Sequence, residues 1–461
     1  MRVLLTALTL FASLTADPGD RLDQHVRERM DATGVPGVAY AVVSAKGVVH
    51  SGTLDTDGDG EPVTTTTPFL WGSVSKPVAA TLTTTLVKSG DLKLDEPVVS
   101  YLPAFRLKTP GAERITVRHL LNQTSGIPTS LELTDQFGTG RRALDTIPDF
   151  ASIGAVSEPG AEHHYSSLNY LALSAVIEQI TGKPYADVLR TRLLDPLGMK
   201  GAITAPSDKL PPGHRYLFGR PKSFDSPYDP AGVGYGYLGG TLQDAIAFAQ
   251  AQLGAAPTVL DPDLLAAAQR GEVETGEGIQ YGLGWRRWSS KSFGVESEQP
   301  VVWHGGAVAG YQAAIMLLPS QDRAVVVLQN AYGVFQEQQL LDTAFGLTTL
   351  LAGGEPKPST TGIGYPAALA GLTALALVLL VLLVRSIRRP GRPRRLWLSL
   401  LTLGGLGVVF GWVLPRTLGL ERRQFVLWAP DLAWLVNTIL ALVVLLAVTQ
   451  VVRTARSRPS R

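Results

Sequence analysis

The sequence predicts an α+β fold, an antiparallel β-sheet flanked by helices plus an all-helical subdomain, followed by three transmembrane helices. Three observations predict it: strand patterns at both ends of residues 17–354, helical patterns between them, and three long apolar runs beyond. At the start, GVAYAVVSAKGVVHSG reads as two Val- and Ala-rich strands meeting at a Lys46-Gly47 turn, a hairpin. From Ser73 to about Val87 the pattern is helical, with Gly90 as its stop. Helical patterns recur over 169–180 and 186–193, closed by Gly182 and Pro196. WRRW, VVWHGG, YQAAIMLLP and RAVVVLQN then read as successive strands, and QEQQLLDTAFGLTTLLA as a closing amphipathic helix. Strands from both termini are therefore expected to share one sheet, with the helical region inserted between them.

The length of 461 residues allows one large domain or two ordinary ones, and 45% hydrophobic residues with a mean hydropathy of +0.14 is high for a purely soluble chain. After a linker over 355–364 rich in Gly, Pro, Ser and Thr, residues 365–384, 396–414 and 429–452 are each long enough to cross a ~30 Å hydrocarbon core as helices. Arg385, Arg388, Arg389, Arg392, Arg394 and Arg395 follow the first run, and Arg453, Arg456, Arg458 and Arg461 lie in the tail 453–461 after the third. The positive-inside rule makes both clusters cytoplasmic, which leaves 17–364 outside a bacterial membrane. Arg416, Arg422 and Arg423, offset by Glu421, weaken this asymmetry without reversing it. At the other end, Arg2, an apolar stretch over 3–14 and small residues before Asp17 have the layout of a secretory signal, expected to span 1–16 and either cleaved after Ala16 or kept as an anchor.

Charge divides in the same place. From Glu355 onward there are 14 basic and 3 acidic residues, against 27 basic and 36 acidic before it, so the front domain is no nucleic-acid binder on charge grounds. The absence of cysteine excludes a catalytic thiol, a disulfide framework and a cysteine-bound metal. No metal or other cofactor is expected. Asp55, Asp57 and Asp59 imitate the start of a calcium loop, but its twelfth position is Thr66 instead of Glu, and His163 and His164 lack the spacing that turns two imidazoles toward one ion.

The sharpest chemical signal is GSVSK, in which Ser73 opens a helix and Lys76 follows three positions later on the same face. A serine hydroxyl is a poor nucleophile until a neighbour removes its proton, and an amine whose pKa is lowered by desolvation or nearby positive charge can do so. The helix N-terminus adds N–H groups that favour developing negative charge. Pro77 falls in the first turn, where its missing N–H costs little.

Taken with GDLKLDEPVVSYLP (90–103), ITVRHLLNQTSGIP (115–128), EPGAEHHYSSLNYLALS (158–174), DPLGM (195–199), YGLGW (281–285) and HGGAVAGY (304–311), residues 20–350 resemble the serine β-lactamase and penicillin-binding family, with its class C β-lactamases, DD-peptidases and related esterases. The resemblance implies that Ser73 is acylated, that Lys76 assists, and that Tyr165 supplies a phenol to the proton relay. It also implies that His304, Gly305 and Gly306 form the strand edge along which substrate lies, with the N–H groups of Ser73 and Ala307 as oxyanion hole. Ser167 stands where the family's Tyr-x-Asn element has Asn, which is expected to weaken substrate binding more than acylation, and Asn169 could substitute if the helix begins late. The expected partners are a lipid bilayer and a small-molecule or peptidoglycan-peptide substrate, a D-alanyl peptide or a β-lactam. An esterase or D-aminopeptidase, and a membrane-bound sensor or non-catalytic binding protein, are the competing readings.

Overall fold

The computed structural model describes residues 17–130, 132–276, 278–296, 298–359, 362–388, 396–413 and 422–456. The expected signal at 1–16, residues 389–395 and 414–421, Arg458 and Arg461 lie outside these. The chain divides into two compact units, 1–214, 223–332 and 336–359 forming the first, and 215–222, 333–335 and 360–461 the second.

The first unit is built on one sheet. Its strands are β1 (Gly37–Ser44), β2 (Gly47–Asp55), β3 (Val273–Gly276), β4 (Ile279–Tyr281), β5 (Arg286–Ser289), β6 (Pro300–Val308), β7 (Tyr311–Leu318) and β8 (Arg323–Gln329). The order is β2-β1-β8-β7-β6-β5-β4-β3, every pair antiparallel, and β1 meets β8 with Val38 opposite Gln329. The termini thus supply adjacent strands, as the sequence predicts. β1 is buried at every position and does not alternate, because both faces of the sheet are covered. Ala39, Ala41 and Val43, with Ala324, Val326 and Leu328 of β8, join the large core around helix α2 (Ser75–Lys88). The other face carries α5 (Glu337–Leu351), where Gln329 donates to the Leu340 carbonyl and Thr348 reaches Met316, and α5 packs in turn against α1 (Pro18–Thr33).

The inserted region contributes α2, α3 (Ser167–Thr181) and α4 (Leu242–Gln250). Ser166 caps α3 by accepting from the Leu168 N–H, and Gly182 at φ 67° ends it. α2 is buried from Ser75 to Thr84, so it runs through the middle of the unit and leaves only its C-terminal end accessible.

One contact sets the site. β6 pairs with β5 only from Pro300 to Trp303, which leaves its His304–Val308 edge without a strand neighbour on that side. The 3-10 turn Gly72–Val74 packs there instead. A Cβ on Gly306 would lie 2.1 Å from the Trp71 carbonyl oxygen and 2.5 Å from the Ser73 nitrogen, and one on Gly72 would lie 2.1 Å from the Ala307 nitrogen. Only glycine permits this approach.

The second unit contains α6 (Gly364–Arg388), α7 (Leu396–Val408) running on as a wider turn to Val413, a short helix Arg422–Trp428, and α8 (Pro430–Arg456). α6 and α8 are long and apolar enough to cross a membrane. The third expected run, 396–414, is helical over 396–413, with Ser399–Val413 a shorter apolar helix among the described residues, and its last residue lies outside them. α6 and α8 lie parallel. Tyr365 bonds Asp431 at one end, and Arg453 reaches the carbonyls of Ser386 and Ile387 at the other, so the arginines that close both helices gather at one end.

At the edge of the first unit, Asp23 of α1 accepts from Tyr40 of β1 and pairs with His50 of β2. Burial pushes the Asp23 carboxyl up, but the hydrogen bonds of Tyr40 and His50 outweigh it and hold it below 3.8. A depressed folded pKa contributes stability above the unfolded pKa that is lost as pH falls through the folded one. Urea unfolding from about pH 6 to about pH 2 should therefore show an acid-side loss that Asp23→Ala flattens, the variant being the weaker protein only at the upper end.

Candidate active site

Ser73 sits in the turn ahead of α2 and Lys76 in its first turn, so the two side chains project from one face. Lys76 Nζ lies 2.9 Å from Ser73 Oγ, 3.2 Å from Ser167 Oγ and 2.8 Å from the Tyr235 carbonyl oxygen. The lysine is fully buried, whereas Ser73 remains partly accessible. Burial holds the amine below its ordinary 10.5; Tyr165 opposes the shift and Arg286 adds to it. A lysine in this state can take a proton from Ser73 at a pH where a free amine could not.

Tyr165 completes the cluster. Lys76 Nζ stands 4.9 Å and the Arg286 guanidinium carbon 5.2 Å from the centre of its ring. Burial raises the phenol, but Lys76, Arg286 and hydrogen bonds with Ser73 and Lys76 together bring it below 10. The Arg286 guanidinium, joined by Lys76 whenever the amine holds a proton, favours the phenolate, the form that accepts a proton and returns it.

His304 is buried on β6, with Nε2 3.2 Å from Tyr281 Oη and Nδ1 2.6 Å from the Gly305 carbonyl oxygen. Burial, with Arg286 and Lys76 nearby, holds its pKa well below 6.5, so the imidazole is neutral. Gly305, Gly306 and Ala307 continue along the unpaired edge of β6, and the nitrogens of Ala307 and Ser73 flank the close contact of the two backbones.

Ser167 and Asn169 part company. α3 begins at Ser167, so the helix does not start late, and Asn169 turns into the interior. Its amide donates to Gln123 at 2.6 Å and its oxygen accepts from Ser125 at 2.5 Å. The expectation that Asn169 substitutes for the family Asn is therefore corrected. Ser167 meets the lysine, and Asn169 braces the turn that carries Tyr165.

Other participants are absent from the sequence reading. Arg286 directly follows the YGLGW stretch, and this adjacency is the one signal that could have found it. The Tyr235 carbonyl is held by its own side chain, which donates to Asp229 at 2.6 Å and accepts from the Asp135 N–H at 2.9 Å, while Tyr237 donates to Asp135. A backbone acceptor leaves no mark in a motif. Gln123 adopts φ 65° and accepts from the Ser166 N–H at 3.0 Å, a role visible only once the backbone is folded.

The family model described as Beta-lactamase matches residues 22–345. Penicillin-binding protein 4 of Amycolatopsis lactamdurans is 37% identical over 199 residues, 40% of this chain and 50% of that protein. The unguisins hydrolase of Aspergillus campestris is 28% identical over 345 residues, 69% of this chain and 63% of that protein. The chain spans about half to two thirds of the length of these relatives. Among solved structures, the octameric penicillin-binding protein homologue from Pyrococcus abyssi matches with a TM-score of 0.64 at 23% identity, covering 73% of this chain and 78% of that one, a likeness of fold. The matched span takes in the sheet, α2 and the Ser73–Lys76 pair alike, and the chain belongs to the β-lactamase family of serine hydrolases.

Proposed function

We propose that this chain is a membrane-anchored serine hydrolase that works through an acyl-enzyme on a cell-envelope D-alanyl peptide or a β-lactam. The observation that carries the reading is the 2.9 Å contact between the buried Lys76 amine and Ser73 Oγ beside the open edge of β6. In the forward step Ser73 Oγ bonds to the substrate carbonyl carbon and its proton passes to Lys76. The carbonyl oxygen becomes an oxyanion that the N–H groups of Ser73 and Ala307 stabilise. The carbon–nitrogen bond then breaks as the proton is returned, by way of Tyr165, to the departing amine. Water or an acceptor amine reverses these steps and frees Ser73. His304, Gly305 and Gly306 line the edge on which the acyl part lies.

Anchoring is supported by α6 and α8, and the arginines at one end of both helices support a cytoplasmic tail with the catalytic unit outside.

Intact mass recorded at intervals after adding benzylpenicillin to the full chain in detergent tests the reading. An adduct is expected that Ser73→Ala lacks, with turnover reduced at least about a thousandfold in that variant. Slow decay would point to peptidase-like handling and fast decay to β-lactamase action. No adduct and no turnover would remove penicillin recognition and send the search to ester substrates.

Two further outcomes follow from the electrostatics and from Ser167. Because Arg286 helps to depress both Lys76 and Tyr165, Arg286→Gln should move the rising limb of the kcat/KM profile to higher pH and cost on the order of tenfold at neutral pH. Ser167→Asn restores an amide that can meet both substrate and lysine, and it should lower KM by about tenfold with kcat nearly unchanged.

A further inference from the structure

The second unit includes a piece of chain distant in sequence from its helices. Residues 215–222 form the tip of a hairpin between strands Gly213–Leu217 and Arg220–Phe224. The turn is strained: Phe218 holds φ 51° and Gly219 φ 74°, a pairing in which Asn or Gly is the usual first residue. A bulky ring kept in that conformation calls for a reason.

The ring's surroundings supply one. The Phe218 N–H donates to Asp431 at 2.8 Å, and the ring meets Trp434 edge-on at 6.3 Å. The Gly219 N–H donates to Tyr365 at 3.2 Å, and Phe335 stacks on Tyr365 at 4.9 Å. Tyr365 is in the first turn of α6, and Asp431 and Trp434 are in the first two turns of α8. The tip is thus held level with the start of both apolar helices. In a bilayer that level is the interface, where Trp and Tyr collect.

Even so bound, Phe218 stays 48% exposed, Leu217 37% and Phe335 45%. Arg220 and Lys222 of the same hairpin are exposed, Arg215 is half-buried and donates to the Val426 carbonyl, and RYLFGRPK contains no acid. Exposed apolar side chains with two exposed cations on the same hairpin fit the boundary between acyl chains and anionic headgroups.

We infer that the Leu217-Phe218 tip is a lipid-contacting surface that seats among anionic phospholipid headgroups, an inference that rests on the membrane reading of α6 and α8. Phe218 and Leu217 enter the acyl boundary while Arg220 and Lys222 meet phosphates.

The natural absence of cysteine makes the test direct. Phe218→Cys, Leu377→Cys on the exposed side of α6, and Val48→Cys on β2 are each made singly in the full chain. Each is labelled with an environment-sensitive fluorophore and reconstituted into phosphatidylcholine vesicles with or without about one third phosphatidylglycerol. Lipids carrying a quencher at the headgroup or at mid-chain report depth. The expected result is mid-chain quenching at 377 and headgroup quenching at 218, roughly twofold stronger with phosphatidylglycerol and reduced to the neutral-lipid value by Arg220→Glu with Lys222→Glu. The label at 48 should be quenched by neither. Quenching at 377 with 218 behaving like 48 overturns the inference and leaves the membrane reading standing. Absence of quenching at 377 overturns the membrane reading itself. Equal quenching at 218 in both lipids overturns the anionic preference.

Discussion

Two backbones lie closer at this site than any side chain would permit, and the rest of its geometry depends on that contact. Gly72 and Gly306 let the turn bearing Ser73 press against the open edge of β6. A methyl group on either residue would have to push a strand of the central sheet away from the helix buried against it. Ser73, the strand edge and the backbone nitrogens of Ser73 and Ala307, proposed as nucleophile and oxyanion hole, are therefore positioned by one packing constraint. Since close-packed interiors deform little, the constraint is rigid on both sides.

Around this contact the electrostatics run in one direction. Lys76 is buried with three hydrogen-bond acceptors and a neighbouring phenol, so its desolvation is offset by bonds more than by a paired carboxylate. The nearest acidic influence, Asp135, acts from behind Tyr235 and Tyr237, where it also fixes the loop whose carbonyl the lysine uses. His304 stays neutral beside Arg286 and Lys76, which leaves Arg286 as the standing positive charge on Tyr165 whether or not the lysine holds a proton. Positive charge is thus concentrated where an oxyanion and a phenolate would form.

Much of this could be read from residue order. The spacing of Ser73 and Lys76 survives folding because a helix turns three positions onto one face, and the terminal strands are identifiable because Val and Ala runs bounded by turns have few other fates. The misreadings have physical causes. Asn169 is two residues from Ser167, but two steps along a helix rotate a side chain by roughly 200°, so the start of α3 decides which of them meets the lysine. Arg286 comes to Tyr165 through strand pairing of β5 with β6, a relation between residues with no local pattern in common.

The pairing of Val38 with Gln329 has a kinetic side. Strand β1, one in from the edge of the sheet, is buried along its whole length yet gains its β8 neighbour only when nearly all of the first unit has been made. Until then one edge of an apolar strand lies unpaired beside its hairpin partner, open to the strands of other chains. Contacts of such long sequence separation close late and slowly. This buried pair is consequently completed late, and aggregation competes with folding most strongly just before residues 323–329 arrive.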